Sequence, residues 1–388
     1  MTATGAFETQ RARTGGAAAQ DPGHLVQLDG LRAIAVMLVL FAHFIPGNFL
    51  FRAPLGEAGV MIFFVLSGYL ITRILLRARR LVDDGQQSRA YTLRQFFARR
   101  TIRIFPLYYL VTLLMLGLDI ANGRPAAAWL LTYTTNFAMS FYPDLVPGRY
   151  SHFWTLAIEE QFYLVWPLLI VFTPSRWLTT AVSAAVAASF TCVVLGLSGV
   201  GPLGPLPHLF VYVLGAGALL AITEERGWPM KVLLVMGVAG FLSFATSWAA
   251  EASHGRLPTW MGESHVHNAG ATLAAVWLVA GAARGFNGPA ARLLTCRPAR
   301  YIGQISYGIY IIHMFVPPLM AKLPLPFFQN YGDMDPLRSA TVRLTWMAVS
   351  ILLAAIVFQV FERPVNGLKR HFPMRRPSPA PAPVITPA

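Results

Sequence analysis

Charged residues are scarce in this chain of 388 residues: only 12% are Asp, Glu, Lys or Arg, whereas about a quarter are charged in an ordinary soluble domain. Hydrophobic residues make up 55% of the chain. Apolar runs of roughly 20 residues recur, each long enough to cross a hydrocarbon core about 30 Å thick. The shortage of charge excludes a soluble globule, and the fold class that we expect is all-α, a polytopic membrane helical bundle.

Acidic residues and cysteines are few as well. Asp and Glu number 17 against 31 Lys and Arg, which gives a net charge of +14. In a soluble protein this excess would suggest nucleic acid, but here the basic residues lie between apolar segments and indicate membrane topology, so no nucleic-acid partner is expected. The two cysteines, Cys192 and Cys296, have neither a metal-ligand spacing nor a disulfide framework around them, and no metal is expected.

Eleven apolar stretches are candidates for membrane helices. They are 31–50, 56–76, 104–120, 128–142, 154–173, 177–197, 206–222, 231–250, 268–283, 301–320 and 341–361. Arginines crowd the loop between the second and third stretches, the loop 284–300 and the C-terminal tail, so all three are expected in the cytoplasm. The N-terminus must then lie on the same side.

Eleven crossings cannot place all of these segments on one side, and 128–142 is the weakest candidate. It has about 15 residues and a polar centre, whereas a spanning helix needs roughly 20. We therefore expect it to stay on the outer side, which leaves about ten transmembrane helices with both termini cytoplasmic. The predicted organisation is a disordered cytoplasmic tail over 1–25, a transmembrane domain over 26–366, and a disordered, basic, Pro-rich tail over 367–388.

The first stretch carries two ionisable residues, Arg32 and His43, in LRAIAVMLVLFAH. In a helix their separation corresponds to about 16 Å along the axis and about 20° around it, so they share one face at different depths. With the N-terminus inside, Arg32 is expected near the cytoplasmic surface and His43 in the outer half of the membrane. Ionisable residues at membrane depth are functional candidates by default, although a lone histidine is as often a packed one that bonds a neighbouring helix.

Two adjacent carboxylates, Glu159 and Glu160, lie in the span SHFWTLAIEEQFYLVWP, which is expected to enter from the outer side near Ser151. Eight or nine residues of helix amount to about 12–14 Å, a depth similar to that expected for His43. One of the carboxylates can then fix the tautomer of His43 and raise its basicity, as a general base requires. The alternative is a buried ion pair with no catalytic role.

The third stretch begins with FFARRTIRIFPLYY, which places Arg99, Arg100 and Arg103 on the first turns of a helix that starts in the cytoplasm. Arginine side chains bind phosphates in a bidentate manner, and a helix N-terminus adds N–H donors. Together with Arg32 near the same face, these residues predict a ligand that carries phosphate. The alternative is that they anchor the helix to anionic lipid.

Three further features are weaker candidates. Ser67 lies among small residues of the second span and could bond a ligand, but small residues usually serve packing. His313, in ISYGIYIIHMF together with Tyr310, reaches a middle depth where packing is as much expected as chemistry. Glu362, beside Arg363 in FERP, is expected to form an ion pair that ends the last helix.

Six segments occur in an order that resembles a known family. They are LDGLRAIAVMLVLFAH, GVMIFFVLSGYLITRIL, FFARRTIRIFPLYY, FWTLAIEEQFYLVWP, ISYGIYIIHMF and FERPV. Together they resemble the acyltransferase-3 family of integral membrane acyltransferases over about residues 26–366, and six ordered motifs make the match far more specific than any one of them. Members of that family acylate, and mostly acetylate, hydroxyls on bacterial surface glycans; some acylate antibiotics.

The resemblance implies roles for individual positions. The matched residues are the family's essential Arg–His pair, its arginine pair and its paired glutamates: Arg32 with His43, Arg100 with Arg103, and Glu159 with Glu160. The arginine pair implies an acyl-CoA donor, most commonly acetyl-CoA, bound from the cytoplasm. The implied acceptor is a glycan or glycolipid, and the implied location is the bacterial inner membrane. One departure is Thr155, where the family leads us to expect serine, and this change leaves the carboxylates untouched.

The mechanism that we predict is O-acyl transfer. The donor's phosphates bind at the cytoplasmic face, and His43, oriented by Glu159 or Glu160, either deprotonates the acceptor hydroxyl or takes the acyl group itself. Arg32 is counted with the catalytic residues and can also bind the donor's phosphates. The remaining members of the predicted site bind the donor or support the histidine: Arg99, Arg100, Arg103 and Ser67 in the first role, and Tyr310 and His313 in the second.

Two rival interpretations come from other classes of protein. A transporter or flippase of a polar lipid or sugar also uses His, Glu and Arg within the membrane. A scaffold of a glycan-export complex is disfavoured because buried charge would then have no purpose. The arginine-rich start of the third stretch discriminates between them, since a transporter has no reason to bind CoA.

Overall fold

The computed structural model describes residues 25–45, 54–195, 205–252, 263–324 and 336–375, and within these ranges the chain is helical with no strand. The helices are α1 (Val26–Phe44), α2 (Leu55–Asp83), α3 (Arg89–Gly117), α4 (Ala127–Leu131), α5 (Thr135–Phe141), α6 (Phe153–Phe172), α7 (Ser175–Val194), α8 (Val211–Thr223), α9 (Met230–Ala252), α10 (Glu263–Arg284), α11 (Gly288–Thr295), α12 (Arg297–Ile312), α13 (Val316–Ala321), α14 (Pro336–Val357) and α15 (Arg363–Gly367). The predicted all-α fold is confirmed.

Seven helices are long and apolar enough to cross a membrane. They are α1, α2, α3, α6, α7, α9 and the continuous run from α14 to His371. An eighth is formed if α10 and α11, which are bent by 84° at their junction, act as one span. The chain is therefore a multi-pass membrane protein. By helix length and hydropathy, the number of spans falls short of the predicted ten. Helices α8 and α12 have 13 and 16 residues, fewer than the roughly 20 that a span needs.

The stretch 128–142, predicted not to span, is divided into two short helices. Tyr133 takes a left-handed conformation, with φ of 55°, between α4 of five residues and α5 of seven. Helices of this length cannot cross a bilayer. The side-chain amides of Asn136 and Gln161 bond each other at 3.2 and 2.9 Å, which fastens α5 against α6.

Glycines allow α1 to lie close to its neighbouring helices, and their contacts show in which direction α2 runs relative to α1. A side chain at Gly59 of α2 would meet the carbonyl oxygen of Ala35 at 2.6 Å, and one at Gly303 of α12 would meet that of Asp29 at 1.9 Å. Such close approach is characteristic of helices packed within membranes. Since Gly56 lies against Ala42 while Gly59 lies against Ala35, α2 runs antiparallel to α1.

The helix directions define two ends of the bundle. The start of α12 lies beside the start of α1, and hydrogen bonds from Ser67 to Glu159 and from Arg79 to the carbonyl oxygen of Ile170 show that α6 runs parallel to α2. We call the end that holds Arg32 and Arg100 the arginine end. The opposite end, where α1 and α12 finish and α6 begins, is the histidine end.

The two predicted tails are described only in part. Residues 1–24 and 376–388 lie outside the described residues. Residues 368–371, within the predicted C-terminal tail, form a 3₁₀ turn, and the hydroxyl of Tyr91 donates to the carbonyl oxygen of Pro373 at 3.0 Å. The chain thus remains packed against α3 beyond the boundary that was expected at residue 367.

Candidate active site

A cavity of about 100 Å³ lies between α1, α2, α3, α6 and α12. Its polar and aromatic lining includes Arg32, Ser67, Arg100, Arg103, Thr155, Glu159, Glu160, Tyr163, Ser306, Tyr307 and Tyr310. Seven of the ten site residues predicted from sequence are among them; the other three are His43, Arg99 and His313. The cavity begins at the arginine end and reaches towards the histidine end as far as Tyr310.

Three arginines supply the positive charge of the cavity. Arg32 Nη1 lies 3.2 Å from a carboxylate oxygen of Asp29 one turn earlier in α1. The guanidinium of Arg100 packs over the ring of Tyr163 at 5.2 Å, which is a cation–π contact. Among the described residues, no carboxylate lies within 4.0 Å of Arg100 or Arg103. Their N–H groups are therefore available to an anionic ligand.

Arg99 does not line the cavity. Its Nη1 lies 3.1 Å from the carbonyl oxygen of Lys369 and 3.2 Å from that of Phe372, so it donates to the backbone at the C-terminal side of the last helix. Arg99 thus holds the C-terminal segment, and its predicted role in donor binding stays a prediction.

The two glutamates lie in different surroundings. The hydroxyl of Tyr163 donates to Ser67 Oγ at 3.0 Å, and Ser67 Oγ in turn donates to Glu159 Oε1 at 2.6 Å. This chain orients the Glu159 carboxylate on the cavity wall. Glu160 Oε1 is buried and has no hydrogen-bond partner among the described residues. A buried carboxylate oxygen without a partner is costly, and such groups are found at functional sites.

Three histidines gather at the histidine end. His313 is fully buried, and its Nδ1 lies 2.7 Å from the carbonyl oxygen of Tyr310. Its Nε2 lies 3.2 Å from Nδ1 of His43, which is also 3.0 Å from the carbonyl oxygen of Val39. The ring of His152, at the start of α6, lies 5.1 Å from that of His313 between centroids.

The hydrogen bonds assign the tautomers of this pair when both rings are neutral. Since a carbonyl oxygen only accepts, His313 Nδ1 carries a proton and its Nε2 is an acceptor. His43 Nδ1 then faces two acceptors, Val39 O and His313 Nε2, and must carry the proton of its ring. The lone pair of His43 is therefore on Nε2, on an exposed side chain at the end of α1. This is the form that a base or nucleophile requires.

Tyr310 joins the cavity to the histidines. Its hydroxyl lies 2.7 Å from Thr155 Oγ1 and 3.0 Å from the carbonyl oxygen of His152, while its own carbonyl oxygen accepts from His313. Tyr310 also lines the cavity. The arginine end and the histidine end are thus connected through one residue of α12.

Comparison with known proteins agrees with this arrangement. A profile of an acyltransferase-domain family, the one that the six motifs resemble, matches residues 25–361. The chain belongs to this family. This is an acyltransferase family, and the match covers nearly the whole length of the chain.

Curated relatives are O-acetyltransferases by name. Peptidoglycan O-acetyltransferase OatA of Listeria monocytogenes is 27% identical, with 90% of this chain and 57% of the relative covered. A putative peptidoglycan O-acetyltransferase, YrhL of Bacillus subtilis, is 29% identical over 87% of this chain and 54% of the relative. O-acetyltransferase OatA of Staphylococcus aureus is 25% identical over 89% and 58%. The acyltransferase thus spans a little over half the length of these relatives. No solved structure matches it.

One expectation about the acyltransferase is wrong: neither glutamate pairs with His43. Ser67, the partner of Glu159, lies about 12 Å beyond Gly59 towards the start of α1, which places Glu159 near the level of Arg32. The prediction failed because the first stretch was taken to continue to residue 50, whereas α1 ends at Phe44, before Pro46. His43 therefore lies at a helix end, and His313 takes the place of the expected carboxylate.

A second expectation, the ion pair between Glu362 and Arg363, is also wrong. Arg363 Nη1 donates to Gln359 Oε1 at 3.3 Å, and Glu362 is 6% exposed with its carboxylate directed inwards. Glu362 ends a π-helical turn over Phe358–Glu362 and packs against Gly308 of α12, while the adjacent Arg363 points elsewhere, since successive helical residues lie about 100° apart.

Sequence reasoning missed His152 and Tyr163. Both belong to the motif around Glu159: Tyr163 is at i+4 on α6, and His152, at i−7, is the residue that directly precedes α6. This helical spacing is the signal that could have identified them, because residues seven or four apart share a face of a helix.

Proposed function

We propose that this acyltransferase moves an acetyl group from cytoplasmic acetyl-CoA to a sugar hydroxyl of a cell-surface or exported glycan. It would do so in the bacterial inner membrane, with both termini in the cytoplasm. The observation that carries the proposal is the cavity that extends from Arg100 and Arg103 to Tyr310, together with the hydrogen bonds that join Tyr310 to His313 and His313 to His43. One end of this arrangement suits an anionic donor, and the other presents a free imidazole lone pair.

The donor's phosphates would be bound at the arginine end. CoA carries several phosphate charges, and arginine binds phosphate through paired N–H donors. Arg100 and Arg103 have no carboxylate within salt-bridge distance in the described residues, so a ligand need not displace an internal partner. The pantetheine arm would pass Ser67 and Glu159 and bring the thioester towards Tyr310.

Transfer would occur at the histidine end. In direct transfer, His43 Nε2 takes the proton of the acceptor hydroxyl as the oxygen attacks the thioester carbon; the C–S bond breaks, and the CoA thiolate leaves and is then protonated. In the two-step route, the same nitrogen attacks the thioester carbon first, the C–S bond breaks, and the CoA thiolate leaves and is protonated. The acceptor oxygen then attacks the acyl carbon, the C–N bond to His43 breaks, and the hydroxyl proton is released to solvent. Both routes need the lone pair that the contacts of His43 place on Nε2.

The names of the relatives support a glycan acceptor. Two of the three are called peptidoglycan O-acetyltransferases, so a peptidoglycan sugar is the first acceptor to test. A transporter or flippase is not favoured, because membership of an acyltransferase family over residues 25–361 gives the buried His, Glu and Arg residues a chemical purpose.

The donor is tested by calorimetric binding of acetyl-CoA to the detergent-purified protein. Wild type should bind, and Arg100→Glu should weaken binding at least about a hundredfold, since it replaces an attraction to phosphate by a repulsion in a partly buried site. Arg94→Glu is the matched control, because Arg94 is exposed on the same helix and lies outside the cavity. Absence of binding by folded wild type would reject acetyl-CoA as donor, and equal binding by Arg100→Glu would reject the phosphate site.

A further inference from the structure

The C-terminal segment after α14 closes one side of the arginine end. It consists of the π-helical turn Phe358–Glu362, α15 and the 3₁₀ turn Leu368–His371. All three pack against α3, and the bonds from Arg99 to the carbonyl oxygens of Lys369 and Phe372 fix the segment there. Side chains more than 260 residues apart in sequence are thereby brought to one place.

Lys369 faces the arginines from this segment. It is partly buried, and its Nζ bonds Oδ1 of Asn366 one turn earlier. The charged groups that act on it most strongly are Arg103, Arg100 and Arg99, which repel it, and Glu362, which attracts it. Two of these three arginines, Arg100 and Arg103, line the cavity. Arg99 Nη1 holds the carbonyl oxygen of Lys369 at 3.1 Å, and Arg103 lies one turn further along the same face of α3, so Lys369 lies beside the cavity, next to the lining residue Arg103.

Glu362 is the acidic group of this cluster. Its side chain is buried against α12, where an added side chain at Gly308 would come within 2.9 Å of Oε1. Oε1 has no hydrogen-bond partner among the described residues. Glu362 interacts electrostatically with both Lys369 and Arg103. No carboxylate oxygen of the described residues lies within 4.0 Å of either cation. Glu362 is thus the carboxylate on the side of Lys369, without a close ion pair to either cation, while Glu159 and Glu160 act on Arg100 from the cavity.

Such a concentration of like charge is unfavourable in a folded protein that has no anionic ligand. Neighbouring cations in a partly buried site repel each other, because solvent screens them poorly there. Arg99 is held in this cluster by backbone carbonyls and Arg100 by aromatic rings, so each stays in place despite the repulsion. A ligand with several negative charges would relieve this repulsion.

We propose that Lys369 binds a phosphate group of the donor, together with Arg100 and Arg103, beside the cavity. The inference rests on the proposed function, since it names a further contact for the same donor. The C-terminal segment then forms one side of the donor site, and the negative charge of Glu362 attracts Arg103 and Lys369 and helps to hold them in position. Phosphate could reach this cluster as part of CoA or as a lipid headgroup, and the two sources are separated below.

The test compares Lys369→Gln with Arg370→Gln. Both remove one positive charge from the same 3₁₀ turn, but Arg370 is exposed and its Nε contacts only the neighbouring His371 among the described residues. Lys369→Gln should weaken binding of acetyl-CoA about tenfold and leave that of acetyl-pantetheine, which has no phosphate, within twofold. Arg370→Gln should change neither. Lys369→Arg should restore acetyl-CoA binding, which separates loss of charge from damage to the fold.

Each result decides between defined alternatives. Wild type that binds neither ligand would overturn the proposed function and this inference together. Wild type that binds acetyl-CoA, with Lys369→Gln no weaker than Arg370→Gln, would overturn the inference alone. If Lys369→Gln binds acetyl-CoA normally but loses competition by phosphatidylglycerol in mixed micelles, the source of the phosphate is the lipid headgroup and the donor contact is rejected. If Lys369→Gln weakens binding of acetyl-pantetheine as much as that of acetyl-CoA, the phosphate contact is also rejected, since acetyl-pantetheine has no phosphate.

Discussion

The arginine end and the histidine end of the acyltransferase hold their polar groups in opposite ways. At the arginine end, Arg100 lies over the rings of Phe96 and Tyr163, and neither Arg100 nor Arg103 has a carboxylate within 4.0 Å in the described residues. At the histidine end, His313 and His43 are held by backbone carbonyl oxygens and by each other. The first arrangement leaves charge available for binding, whereas the second fixes proton positions for chemistry.

This contrast predicts that variants at the two ends will affect different steps. Changes at the histidine end should reduce turnover with little effect on acetyl-CoA binding. Changes at the arginine end should weaken binding with little effect on turnover at saturating donor.

The largest effect is expected for His43→Ala. Removal of the Nε2 lone pair should lower turnover at least about a thousandfold, within the range that a general base contributes, while the dissociation constant of acetyl-CoA changes less than twofold. The measurements are release of CoA thiol in the presence of a peptidoglycan-derived glycan and calorimetric donor binding. Normal transfer by a folded His43→Ala protein would remove His43 from the mechanism.

Next in size is the effect of His313, which acts through His43. His313→Leu should lower turnover about thirtyfold, because a leucine of similar volume offers no acceptor to His43 Nδ1, and supporting groups of this kind contribute roughly 10–100-fold. His313→Gln, whose amide oxygen can take the place of Nε2, should recover most of that loss, with KM unchanged in both. Equal turnover of the two variants would show that the buried ring serves packing only.

A smaller effect, and on binding alone, is expected for Arg103→Gln. Arg103 lines the cavity and is largely exposed, so loss of its charge should weaken acetyl-CoA binding about tenfold and flatten its dependence on salt. Turnover at saturating acetyl-CoA should stay within twofold of wild type. A loss of turnover instead of affinity would mean that the division of labour between the two ends is wrong.

Part of this site was predictable from sequence. The scarcity of charge gave the membrane fold, and ordered motifs gave Arg32, Arg100 and Glu159, which share one cavity. These features depend on local composition and on spacing within single helices. The motif order also placed His43 and His313 in the predicted site, and the structure brings them to 3.2 Å.

The remainder depends on where helices end and which helices meet. The depth of His43 relative to Glu159 was misjudged because five or six residues at the end of α1 shift the estimate by about 8 Å. The approach of Lys369 to Arg103 requires the π-helical turn and the packing of the C-terminal segment on α3, neither of which a hydropathy pattern contains. Tautomers likewise follow only from tertiary hydrogen bonds.

The smallest predicted effect concerns Thr155, where the family resemblance led us to expect serine. Its Oγ1 lies 2.7 Å from the hydroxyl of Tyr310, the residue that joins the two ends. Thr155→Val keeps the shape but removes the hydroxyl, leaving buried Tyr310 with one partner fewer; turnover should fall about threefold to tenfold. Thr155→Ser keeps the hydroxyl and should stay within twofold of wild type. Since neither variant touches an arginine, the acetyl-CoA dissociation constant should be unchanged in both, and a shift in it would show that the junction at Tyr310 belongs to donor binding instead.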